Sequence, residues 1–82
     1  MKASIEISMY PLDSEYKTFI LDYIKRLKSY NEIEVVGNTM STQVYGEYDR
    51  LMEIFTIENK RSFETHPAMV IVSKIVNADL RP

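Results

Sequence analysis

Cysteine is absent from the 82-residue chain, which excludes a disulfide framework and a thiolate zinc site as sources of stability. Glycine occurs only twice, too seldom for a loop that cradles phosphate, and neither G-x-x-x-x-G-K-[ST] nor G-x-G-x-x-G is present. His66 is the single histidine, so it lacks the companions a nucleophilic triad or a metal centre requires. The longest apolar run, residues 68–72, is far short of the ~20 residues of a bilayer span. Positive charge is scarce too: 10 Lys and Arg against 12 Asp and Glu supply no basic face to neutralise nucleic-acid phosphates. These absences leave little chemistry for an enzyme. The chain is expected to need no cofactor or metal, and to bind neither nucleic acid nor a membrane interior. No apolar leader core opens the sequence, so a cytoplasmic location is expected.

What is present reads as one folded domain over residues 1–82, with 45% hydrophobic residues. A domain this short buries only ~60% of its unfolded surface, so tight packing or self-association must supply stability. In residues 2–10, Ala3, Ile5, Ile7 and Met9 alternate with Ser4, Glu6, Ser8 and Tyr10, the period of a strand with one apolar face. Pro11 is expected to end it. Asp13 and Ser14 are candidate helix caps. Tyr16, Phe19, Ile20, Tyr23, Ile24 and Leu27 then form a helical stripe. Lys25, Arg26 and Lys28 suit the negative end of that helix as a solvated cluster.

Residues 33–36 and 39–45 read as a hairpin about a two-residue Gly37-Asn38 turn of type II′. Pairing outward from that turn sets Val36 against Thr39 and Ile33 against Thr42. A second helix starts at Tyr48 and is expected to fade through Glu58, Asn59, Lys60 and Arg61. Residues 68–76 form the last strand, apolar on both faces, which implies that both are covered. The order β-α-β-β-α-β predicts an α+β, ferredoxin-like fold, a four-stranded antiparallel sheet with two helices on one face. Val70, Val72 and Val76 lie on the opposite face and predict association into a homodimer or homotetramer.

Polar side chains concentrate on the third strand. Ser41, Thr42, Gln43 and Tyr45 provide four hydrogen-bonding groups within five residues, and Ser8 and Tyr10 lie at the end of the neighbouring first strand. Two readings stand: the groups satisfy one another or a partner subunit, or they ring a small pocket for a neutral or weakly charged heterocycle. Glu6, a carboxylate in mid-strand, faces solvent or an interface, with ligand binding as the other option.

Two segments go further. Ile5-Glu6-Ile7-Ser8-Met9-Tyr10-Pro11-Leu12, followed by Met40-Ser41-Thr42-Gln43-Val44-Tyr45-Gly46-Glu47-Tyr48-Asp49, resembles the YkoF-like family of thiamine- and hydroxymethylpyrimidine-binding proteins. The resemblance covers nearly the whole chain and implies binding without turnover, in uptake or salvage of the vitamin. Ser8 and Tyr10 match the opening motif; Ser41, Thr42 and Gly46 match the second. The resemblance implies that Ser41 and Thr42 hydrogen-bond the pyrimidine, that Tyr10 stacks on it, and that Gly46 sets the strand-to-helix turn. The namesake type joins two such domains in one chain, so two subunits of this single-domain chain would be needed to match it. A sheet-mediated oligomer without thiamine affinity is the competing expectation.

Overall fold

The alternation in the first strand decides the architecture. In the computed structural model, which describes residues 1–12, 16–66 and 68–82, that strand, β1 (Lys2–Pro11), is flanked on both sides. The other elements are α1 (Tyr16–Lys28), β2 (Glu34–Gly37), β3 (Thr42–Glu47), α2 (Tyr48–Thr65) and β4 (Met69–Val76). The antiparallel sheet runs β2-β3-β1-β4, and both helices pack on one side of it: the ferredoxin-like α+β arrangement. Pro11 ends β1 as its last residue, opposite Met69. The proposed caps Asp13 and Ser14 lie outside the described residues.

Ile5 stands opposite Val44 and Ile75, and Ile7 opposite Thr42 and Ser73. The odd-numbered side chains of β1 thereby enter the core with Val44, Tyr23 and Leu27 of α1, and Leu51 and Ile54 of α2. Met9, Val35, Phe55 and Ile71 pack around that cluster.

The hairpin differs from the two-residue reading. Gly37 pairs with Thr42, and Val36 with Gln43, a slip of four positions. The slip is even, so every side chain keeps its face. A four-residue loop, 38–41, makes the turn, and neither glycine has positive φ. Asn38 explains the longer loop: its Oδ1 accepts from Met40 N at 2.7 Å and Ser41 N at 2.9 Å, while its own N–H donates to Ser41 O, an Asx turn.

Gly46 lies within β3 rather than at the turn. A Cβ there would sit 3.1 Å from Ile33 Cγ2 and 3.3 Å from the Glu32 carbonyl oxygen, so close backbone approach is what this position requires. α2 begins two residues on, its first N–H (Tyr48) donating to Met1 O at 2.9 Å; the residue preceding β1 thereby supplies a partner for one orphan helix donor.

The second helix does not fade at Glu58; it runs to Thr65, with Glu58, Asn59 and Ser62 bonded to α1. Glu58 is 0% exposed. Its Oε1 accepts from Arg26 Nη1 at 2.6 Å, and its Oε2 accepts from Tyr30 Oη at 2.5 Å and Arg61 Nη1 at 3.1 Å. Arg26 Nη2 donates to buried Ser62 Oγ at 2.6 Å, and Tyr23 Oη donates to Asn59 Oδ1 at 2.6 Å. Arg26 is therefore an interhelical tie and not part of a solvated cluster.

Burial, and to a lesser degree the Glu58 carboxylate, hold the Tyr23 phenol well above its usual range, although Arg26 opposes them. Hydrogen bonding to Glu58 chiefly raises that of Tyr30.

Replacing Arg26 by Ala should cost roughly 3 kcal/mol in urea unfolding, the low end for stranding a buried charge, because Arg61 still reaches Glu58. Both raised phenols make folding protective below the unfolded tyrosine value of about 10. Stability should therefore fall as pH rises through about 10, since the unfolded chain releases protons that the fold retains. Urea midpoints followed by circular dichroism should show a shallower alkaline decline for Tyr23→Phe than for the unsubstituted chain.

Candidate functional site

The even-numbered side chains of β1 emerge on the face without helices. Ser4 stands there between Tyr45 and Val76, Glu6 between Gln43 and Lys74, Ser8 beside Val72, and Tyr10 beside Val70. This face gathers five of the six side chains singled out by sequence: Ser8, Tyr10, Gln43 and Tyr45 by strand register, and Ser41 by its contact with Glu6. Thr42 lies on the other side of the sheet, buried opposite Ile7.

Within the open face lies a cavity of about 240 Å³, lined by Ser4, Glu6, Gln43, Tyr45, Lys74, Val76 and Leu80, with Ile5 beneath. Glu6 and Gln43 of its lining are linked through Ser41, which borders the neighbouring hairpin-end cleft. Gln43 Nε2 donates to Ser41 Oγ at 2.7 Å, and Ser41 Oγ donates to Glu6 Oε2 at 2.9 Å. The other Glu6 oxygen, Oε1, lies 3.7 Å from Lys74 Nζ, an ion-pair distance beyond hydrogen-bond range. Ser41 thus spends its hydroxyl on orienting a carboxylate, and the carboxylate retains capacity to accept further donors.

The chain end builds one wall. Ser4, buried at the sheet, donates through Oγ to Ala78 O at 2.7 Å and accepts from Leu80 N at 2.9 Å. Arg81 Nη1 reaches Glu34 Oε2 at 3.1 Å, and its guanidinium carbon lies 5.8 Å from the centre of the Tyr45 ring. Hydrogen bonding to the Arg81 guanidinium also holds the Asp79 carboxyl below the usual carboxylate range. Residues 78–81 are therefore pinned across the sheet by named contacts, with Leu80 facing the cavity. Sequence patterning carried no sign of this wall, because the segment has no periodicity.

The remaining candidates sit elsewhere. Thr42 and Ser8 border a smaller cleft of about 80 Å³ at the hairpin end, with Met9, Asn38 and Met40. Tyr10, half exposed, edges a broad depression beside it with Leu12 and Tyr16. His66 ends α2 and lies against Phe19, ring centres 3.5 Å apart. Val70, Val72 and Val76 remain 48%, 51% and 37% exposed in the single chain, so the described residues leave them uncovered. Among the described residues no helix is long and apolar enough to cross a membrane.

The fold recurs in solved structures. Protein SP2199 of Streptococcus pneumoniae superposes with a TM-score of 0.86 at 24% identity, covering 98% of this chain and 90% of that one. A Thermotoga maritima protein, TM0486, described as a "putative thiamine biosynthesis/salvage protein", gives 0.83 at 16% identity over 95% of this chain and 85% of that one. A domain of unknown function, DUF77, from Bacillus cereus gives 0.78 at 13% identity, covering 98% and 79%. At these identities the likeness is one of fold. No family model and no curated protein matches the chain.

Ser4→Ala should free the chain end: amide exchange at Leu80, read by hydrogen–deuterium exchange, should accelerate well above that of the unsubstituted chain, while amides of β1 and β3 stay protected.

Proposed function

We propose that the chain is a non-catalytic binding protein for an aminated heterocycle, of the kind presented by the hydroxymethylpyrimidine half of thiamine, and that it belongs with the YkoF-like proteins. The observation that carries this reading is the Glu6 carboxylate on the floor of a ring-sized cavity. An aminopyrimidine offers an amino group that a carboxylate can accept from, and charge-assisted hydrogen bonds of this sort are the stronger class. Gln43 stands beside Glu6 to meet a second polar edge, while Tyr45, Val76 and Leu80 supply apolar surface to the ring. At about 240 Å³ the cavity falls below the ~300 Å³ at which pockets for drug-sized ligands begin. One ring fits inside, and a second would extend over the neighbouring sheet toward Ser8 and Tyr10. The fold shared with a Thermotoga protein named for thiamine biosynthesis or salvage supports the ligand class.

A specific observation favours a second reading, a sheet-mediated oligomer without thiamine affinity: the exposed valines of β4 continue directly from the cavity wall.

Titration calorimetry with hydroxymethylpyrimidine and with thiamine separates the two. Binding of either supports the first reading, and absence of heat and of thermal shift for both leaves only the second. Glu6→Gln should weaken binding by ~1.5–3 kcal/mol, the range for a hydrogen bond to a charged group. Thr42→Val, on the far side of the sheet, should leave affinity unchanged. Equal affinity for Glu6→Gln with a loss for Thr42→Val would move the site to the hairpin-end cleft.

A further inference from the structure

Polar groups around the open-face cavity are partly committed before any ligand arrives. Ser41 occupies one oxygen of Glu6, and the Gln43 amide nitrogen donates to Ser41. Accepting capacity remains on Glu6 Oε1 and on the Gln43 carbonyl oxygen, so N–H donors of a ligand find partners there. The charge such a ligand can carry is decided by cations already in place.

The features described there that could draw a cation each hold one. Lys74 stands directly opposite Glu6 in the β1–β4 ladder, and its Nζ lies 3.7 Å from Glu6 Oε1. Side chains so paired start from Cβ atoms only about 4.5–5.5 Å apart, so the sheet itself keeps the two charges together. At the other end of the cavity Arg81 lies over the Tyr45 ring, 5.8 Å from its centre and within cation–π reach. The same guanidinium meets Glu34 Oε2 and Asp79 Oδ1, each at 3.1 Å. Floor carboxylate, wall carboxylates and aromatic face are thus matched to cations of the chain itself.

We infer that the open-face cavity selects an uncharged amino heterocycle over a permanently cationic one, and that Lys74 sets this preference. An uncharged N–H can add to Glu6 Oε1 beside Lys74, because at 3.7 Å the ammonium is beyond hydrogen-bond range. A cation must displace a resident one or sit close to it. Two like unit charges about 6 Å apart cost ~3-fold in affinity at the dielectric of water, and ~100-fold at an effective value of about 20. Arg81 also ties down the chain end, whereas Lys74 is 79% exposed and its described ion pair is with Glu6 alone. Substitution at Lys74 therefore tests charge without loosening the wall. The inference rests on the heterocycle-binding reading and adds the charge class to it: free hydroxymethylpyrimidine, rather than the vitamin with its thiazolium ring, is the expected ligand.

Charge is separated from size by comparing thiamine with an isostere in which an uncharged thiophene replaces the thiazolium ring. In titration calorimetry the unsubstituted chain should bind the isostere ~3- to 100-fold more tightly than thiamine, and high salt should narrow that gap. Lys74→Met should close most of the gap, and Lys74→Arg, which retains the charge, should preserve it. Equal affinities in the unsubstituted chain, or tighter binding of thiamine, overturn the charge preference while the heterocycle-binding reading stands. A gap that persists undiminished in Lys74→Met overturns Lys74 as its source. Absence of heat and of thermal shift with the isostere, thiamine and hydroxymethylpyrimidine alike overturns the inference together with the reading beneath it.

Discussion

The protein depends on the two-sidedness of β1. Its odd-numbered residues Ala3, Ile5, Ile7 and Met9 join Val44 in the sheet's contribution to the core, and the even-numbered ones between them line the reverse face. Central position makes this possible, since β1 alone touches both β3 and β4. Any one-residue slip would drive Glu6 beneath the helices and expel Ile5 and Ile7. The hydrophobic term that fixes the register therefore also fixes where the carboxylate stands, and core and cavity cannot be varied independently along this strand.

The pairing of the helices follows a different rule. Apolar stripes bring α1 and α2 together, but their mutual register is held by polar groups gathered on the buried Glu58 and Ser62: Arg26 is shared between the two, and Tyr30 closes on the remaining carboxylate oxygen. Buried ion pairs often add little net stability over apolar substitutes. Directional bonds of this kind instead penalise misalignment, which suits two helices whose apolar contact alone would tolerate sliding.

Much of this architecture is legible in the residues. Period-two alternation locates β1 and β4, and the stripe from Phe19 to Leu27 locates α1. Elsewhere the determining interaction is invisible in pattern. The hairpin loop is set by the Asn38 side chain bonding its own backbone, so a Gly-Asn dipeptide reads as a shorter turn than it makes. Glu58 and Arg26 look like surface charges, because sequence shows each one's type and not the partner on another helix. The polar run from Ser41 to Tyr45 is readable as a cluster, and strand alternation already sets Thr42 on the helix side and Gln43 and Tyr45 on the other. Glu6 is the converse case: a lone carboxylate on a central strand was visible, and its weight emerges only beside the Ser41 hydroxyl.

The cavity wall at residues 78–81 has a separate origin from the floor. The floor is written in strands that also serve the core, whereas the wall hangs from Ser4 and from Arg81's contacts with Glu34 and Tyr45, and adds no residue to the buried core cluster. Selectivity can therefore drift by exchange of Leu80 or its neighbours at little expense to folding. Among chains of this architecture, divergence in what is held should accumulate at the terminus while the β scaffold stays fixed.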